Sequence, residues 1–416
     1  MRLSIIITTV LLAYSSHLMD SQLRTEEPVR CYEPHPTAEE SRRFRVEVNG
    51  EAVFTEQLPV REGDVSYDFP GAEKLSYHCA RFSFEQEARV RVSVEGGFNQ
   101  FTLRPGSAEI VPEVNGNTIA LTMEEPGNLL LEVDSAWLYL FADSPEKEAP
   151  HPGSTGRKVV NIMDYEVDST GERLSTFAIQ KAIIDVATGP DAGGVLYFPR
   201  GTYKTGTIRL YSGVTLYLTE GALLQASLDP EDFPLPFGVA DGPPGRDYGY
   251  EYALIKIHHA ENAGIRGRGT IDGGGAANGR LKIIHMENSE NVVVEDVVVR
   301  NGDGWMCPIL YCEKVLFRHV RVISPITSNT DGINPDSSVE VEIDGCFVCS
   351  GDDPLVVKAT KHLPFTSEMG RQWKMWCSET TGWRCPEDCG TTGTGFWISR
   401  LPGGMRPSGG TPGGMK

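Results

Sequence analysis

Positive charge is scarce in this chain. Its 416 residues carry 57 Asp and Glu but only 38 Lys and Arg, a formal net charge of −19. That balance argues against nucleic acid and anionic membrane surfaces as partners, and an acidic polymer would have to be met by a locally basic cleft. Long apolar runs are lacking too. Residues 3–14 form a short one, after Arg2 and before the small residues Ser15 and Ser16. At about a dozen residues it is short for a bilayer span and reads as a signal peptide over residues 1–18, hence a secreted protein, extracellular or periplasmic. No cysteine follows it closely, so nothing marks a lipoprotein. Branched aliphatics run out from Thr360 onward, where only Leu363, Ile398 and Leu401 occur and valine is absent. Such a segment cannot build a β-coil, and its Gly-Pro-Met-rich close predicts a disordered tail over residues 360–416.

The nine cysteines do not make a metal or redox centre. Cys31 and Cys79 could pair in an exported protein. Cys346 and Cys349 have the spacing of a metal or redox motif, but no second pair matches them, and Cys346 falls in an inward-looking rhythm, so buried thiols are expected. Cys377, Cys385 and Cys389 are too irregularly spaced for a zinc site. No cofactor and no metal are called for.

What the chain does have is repetition. Val292-Val293-Val294-Glu295-Asp296-Val297-Val298-Val299 recurs as Val315-Leu316-Phe317-Arg318-His319-Val320-Arg321-Val322 and as Val341-Glu342-Ile343-Asp344-Gly345-Cys346-Phe347-Val348, at offsets of 23 and 26 residues, and an earlier copy around Ile265 lies 29 residues upstream. Units this short cannot bury their own apolar faces, so they must stack as a solenoid. β-branched strands separated by Asn, Asp and Gly favour a right-handed parallel β-helix over helical repeats, and the spacing is too long for a hairpin sandwich.

Residues 24–150 read differently. Arg43-Phe44-Arg45-Val46-Glu47-Val48 alternates, Asn49-Gly50 signals a hairpin, and Val90, Val92 and Val94 repeat the period, which predicts a small antiparallel β-sandwich. A Ser-, Pro- and Gly-rich linker follows, and the β-helix is expected over residues 157–359. At its start, Ile179, Ala182, Ile183 and Val186 fall on one helical face, with Ser175 as cap and Gly189 past the end; such a helix would plug the open first coil. Residues 229–252 form a long loop in which Arg246 and Tyr248 are candidates for contacting a sugar acid.

Two acidic motifs sit in successive coils, Asn329-Thr330-Asp331-Gly332 and Ser350-Gly351-Asp352-Asp353. Alone each reads as corner turn chemistry. Together they deliver three carboxylates to one place, a general acid/base set able to cleave a glycosidic bond. Like charges so close resist full ionisation, so one pKa should rise, as a general acid requires. Lys358 is the nearby cation nominated for substrate contact.

The helix-then-strand entry, Gly267-Arg268-Gly269-Thr270-Ile271-Asp272-Gly273 and the two acidic motifs together resemble glycoside hydrolase family 28, the polygalacturonases and their pectin-cleaving relatives, over residues 159–359. The resemblance implies an inverting hydrolase on a right-handed parallel β-helix, with Asp352 as general acid and Asp331 and Asp353 holding the attacking water; Asn329 is a candidate for substrate contact. Inversion needs acid and base roughly 6.5–9.5 Å apart, a gap that carboxylates on adjacent coils can span. The implied substrate is pectin or another acidic plant polysaccharide, and the implied state a monomer. Two family motifs are missing: a Gly-His-Gly after the paired aspartates, and an Arg-Ile-Lys that holds the uronate carboxylate. The only histidine after Asp353 is His362, without flanking glycines. With the repeat ending near Ala359, this predicts a change of reading frame and lost coils, or an appended tail, and a last coil whose open edge makes the chain poorly soluble or inactive. The alternatives are a calcium-dependent polysaccharide lyase and a non-catalytic carbohydrate-binding solenoid.

Overall fold

The computed structural model describes residues 29–59, 75–106, 110–189, 191–233, 252–275, 281–325 and 330–358, and the backbone of three later strands. The chain divides into two compact units, one built mainly from residues 40–58 and 77–147 and the other mainly from residues 148–416.

The first unit is the expected antiparallel sandwich. Phe44–Val48 alternates buried and exposed residues, and Asn49 and Gly50, at φ 51° and 87°, turn it into Glu51–Val53. Both residues are left-handed, as a tight hairpin matching strand twist requires. One sheet has five strands and the other seven, and Phe44, Val46, Val90 and Val92 of the first share a core with Phe82, Leu129, Leu131 and Leu138 of the second. Cys31 and Cys79 do not pair. Cys31 lies opposite Phe82 in the antiparallel register, and neither thiol is in a disulfide.

The second unit is a right-handed parallel β-helix of three sheets. The entry helix Thr176–Ala187 buries Ile179, Ala182, Ile183 and Val186 against the first coils. Ser175 does not cap it as expected. Its Oγ accepts from Asp168 N at 2.9 Å, and no side-chain bond reaches the helix amides. The turn around Asp168 competes for this hydroxyl, and the Asp168 carboxylate, holding Arg173 N and Thr170 N, is lowered to about 2 by those bonds.

The repeats stack in the register their spacing implies. Val292, Val315 and Val341 lie side by side in the first sheet, as do Val294, Phe317 and Ile343, and all are buried. Cys346 and Cys349 are buried thiols outside any disulfide. The three corners of a coil differ in kind. From first to second sheet the step is 3 residues in three coils, as from Glu295 to Val298, Arg318 to Arg321 and Asp344 to Phe347. From third to first it is again 3, as from Glu287 to Glu290, Leu310 to Glu313 and Asp336 to Val339. These corners carry columns of left-handed residues: Asp296, His319 and Gly345 at one, and Asn288, Tyr311 and Ser337 at the other. The second-to-third corner varies instead. Register partners Asp272, Arg300, Ile323 and Cys349 are followed by Ile284, Cys307, Ile333 and Leu355, at separations of 12, 7, 10 and 6 residues.

Residues 360–416, expected to lack structure, contain Met375–Cys377, Thr380–Arg384 and Thr394–Ile398. Met375–Cys377 continues the first sheet in parallel, whereas Thr394–Ile398 pairs antiparallel with Phe347–Ser350 and with Thr380–Arg384. The last coil's strand edges template these pairings, and Thr, Trp and Phe suit strands without any valine. The signal segment, residues 1–18, lies outside the described residues.

Candidate active site

Both acidic motifs fall at the corner of variable length. Asp331 precedes the third-sheet strand Ile333–Asp336, and Asp352 and Asp353 precede the bridge that pairs Leu355 with Ile333. Successive coils are locked by Met306 N donating to Asp331 O at 2.7 Å and Gly332 N donating to Asp353 O at 2.9 Å. Cys307 pairs with Ile333, so Trp305, Asp331 and Asp353 form a column with about 4.8 Å between coils. The Thr330 hydroxyl ties the motifs together, donating to Ser324 O at 2.8 Å and accepting from Gly351 N at 3.0 Å.

Gly332 is needed for this closeness. A Cβ there would stand 2.3 Å from both Pro354 O and Val348 Cγ1. Gly332→Ala is expected to cost about 1–3 kcal/mol of stability. It should also lower turnover on the order of a hundredfold by parting the Asp331 and Asp353 coils, since an ångström of misplacement suffices for that. Urea unfolding and turnover measured together check this, and a native-like variant in both would refute it.

Asp331 is only 3% exposed. Its Oδ2 accepts from Lys358 Nζ at 2.7 Å and from Asn334 Nδ2 at 2.9 Å, and no hydrogen bond from the described residues reaches Oδ1. Burial pushes the Asp331 carboxyl above the usual carboxylate range, Lys358 draws it back, the Asp352 charge adds a smaller upward push, and Asn334 a downward one. Lys358 Nζ also sits 3.3 Å from the centre of the Trp305 ring, a cation–π contact that holds the ammonium over the site. Asp352 is half-buried and Asp353 exposed, and Asp353 N donates to Asp352 Oδ1 at 3.0 Å.

The three aspartates predicted from sequence therefore come together, and Lys358 joins them. Lys358 is no solvated surface lysine, because its partner is the carboxylate of Asp331. Burial raises the carboxyl of Asp331, the deeply buried member of the cluster. Asn329, Arg246 and Tyr248 lie outside the described residues. Sequence reasoning missed Trp305 and Asn334. Trp305 had a signal: Gly302-Asp303-Gly304-Trp305 occupies, one coil earlier, the corner that holds Asn329-Thr330-Asp331-Gly332. Asn334 had none, since only folding places its amide on Asp331.

Residues 244–370 match the model of glycosyl hydrolases family 28, and residues 159–217 match that of rhamnogalacturonase A/epimerase, pectate lyase-like. A probable polygalacturonase of Vitis vinifera is 32% identical over 215 residues, covering 48% of this chain and 44% of that protein. An endo-polygalacturonase of Pectobacterium parmentieri is 28% identical, covering 57% of this chain and 63% of that protein. The chain thus spans about half of the one relative and under two thirds of the other. The exopolygalacturonase of Thermotoga maritima superimposes with a TM-score of 0.43 at 22% identity, over 52% of this chain and 56% of that one. The ordered motifs and the parallel solenoid agree with that match, and over residues 244–370 the chain is similar to glycosyl hydrolases family 28.

Proposed function

We propose that this chain hydrolyses glycosidic bonds of a pectic polysaccharide with inversion. The observation that carries the reading is the column at the variable corner, where a desolvated Asp331, bonded to Lys358, faces the paired aspartates of the next coil. Asp352 is assigned the proton that goes to the leaving oxygen. Asp331 and Asp353 hold and deprotonate the attacking water, with Oδ1 of Asp331 as its acceptor. A carboxylate with a raised pKa is the stronger base, and Lys358 keeps it charged. Lys358 also brings positive charge into a chain of net charge −19, as a polyanionic substrate requires. Polygalacturonate supplied to the purified chain should yield new reducing ends without ultraviolet-absorbing unsaturated products. Unsaturated ends would identify a lyase, and binding without turnover a carbohydrate-binding solenoid. Export belongs to the same proposal, because a polymeric substrate is met outside the cell.

The acidic limb of the pH–rate profile follows from Asp331. It must be ionised to act as a base, so activity should rise with pH through a value above 3.8, the ordinary carboxylate position. Lys358→Met removes a group that lowers this pKa and should move the limb to higher pH. An unshifted limb in that variant would assign the base to Asp353 instead.

A further inference from the structure

On the same third sheet, away from the carboxylates, two imidazoles face each other across adjacent coils. His258 ends Ala253–His258, and His285 and Glu287 lie in Lys282–Glu287, with His258 in register with Glu287 and Lys256 with His285. Met286 pairs with Ile309 and Pro308 with Asn334, so His285 lies two coils ahead of Asn334. His258 Nε2 and His285 Nδ1 are 3.1 Å apart with the rings perpendicular, and one ligand atom each of His258, His285 and Glu287 lies within 4.8 Å of the other two.

We propose that His258, His285 and Glu287 form a binding site for one divalent transition-metal ion of the zinc, cobalt or nickel kind. Metal–imidazole bonds of about 2.0–2.1 Å at a tetrahedral angle set two nitrogens roughly 3.3 Å apart, close to the spacing already present. The ion would replace the proton now shared by the two rings. Glu287 is half-buried and its Oε1 accepts from Asn288 Nδ2 at 3.3 Å; turned from that long bond it would close as third ligand, with water completing the shell. Both rings are in the state a metal requires. Burial first, then Lys256, Arg209 and His259, hold His258 down at about 4; burial, then His258, Lys282 and Lys256, hold His285 well below its usual range. The same lysines and arginine oppose a second positive charge, so binding should be moderate. Two nitrogens and one carboxylate select against calcium and magnesium, which prefer oxygen. A bound ion would clip two coils together and raise the melting temperature.

The test is titration of the purified full chain with cobalt(II), followed by visible absorption and calorimetry. The proposal expects one ion per chain, a nitrogen/oxygen-type spectrum without a thiolate charge-transfer band, and no competition by calcium. His258→Gln and Glu287→Gln, both at part-exposed positions, should each weaken binding by about tenfold or more. His319→Gln, beside Asp296 at the corner between first and second sheets, should leave it unchanged. Absence of binding, a thiolate band, or full affinity in His258→Gln would overturn it. None of these readouts depends on hydrolytic activity.

Discussion

Asp352→Asn is expected to lower hydrolysis of polygalacturonate by roughly 10²–10⁴-fold, the range that a lost general acid costs. The substitution keeps the volume of the side chain and the Oδ1 atom that accepts from Asp353 N at 3.0 Å, so the corner should hold its shape. The amide cannot supply the proton that the departing oxygen needs. Asp331→Asn should fall in the same range for a different reason. It removes the base and leaves Lys358 without the carboxylate at 2.7 Å, so part of its effect should appear as reduced stability, whereas Asp352→Asn should unfold at the native urea concentration. Reducing-end release, read beside unfolding curves, separates the two. Residual activity above about a tenth of native in Asp352→Asn would remove Asp352 from the role of acid.

The largest effect on stability is expected away from the aspartate cluster, at Arg300. Arg300 Nε donates to Asp272 Oδ2 at 2.5 Å, and the two side chains are 3% and 2% exposed. Asn301 Nδ2 reaches both Asp272 oxygens, and Gly274 N donates to Oδ1 at 2.7 Å. Arg300→Met leaves a carboxylate buried without its cation, a loss of about 3–5 kcal/mol. Adding Asp272→Leu removes the stranded charge and should restore part of that loss, because replacing both members of a buried pair by apolar groups is often nearly neutral. Urea unfolding of the two single variants and the double measures the coupling. A cost below about 1 kcal/mol for Arg300→Met would place the pair among those that contribute little.

What the sequence revealed and what it hid follow from the range of the interactions involved. The ladder of Val292, Val315 and Val341 was legible because a parallel solenoid puts equivalent residues in register, so a repeat in the chain becomes a row in space. The aspartates were legible for the same reason, being one coil apart. Ser175 was misread because a cap is a competition among nearby donors, and the amide of Asp168 won it. The tail strands were missed because valine content judges whether a segment can build a core, whereas pairing on an existing edge needs only backbone. His258 and His285 carry no motif, since 27 residues separate them and only the register of two coils brings them together.

The unequal corners have a last consequence, for how such a molecule can change. In the last three coils two corners keep a step of 3 residues with left-handed backbone columns, whereas the coil before them takes 4 residues from Arg266 to Thr270 and stays in register. The remaining corner already takes separations of 6 to 12 residues while the stack stays in register. Chemistry and structural tolerance coincide there. New loops can be written into the edge that carries the aspartates without rewriting the coil beneath, so specificity can diversify along the seam where the chemistry sits.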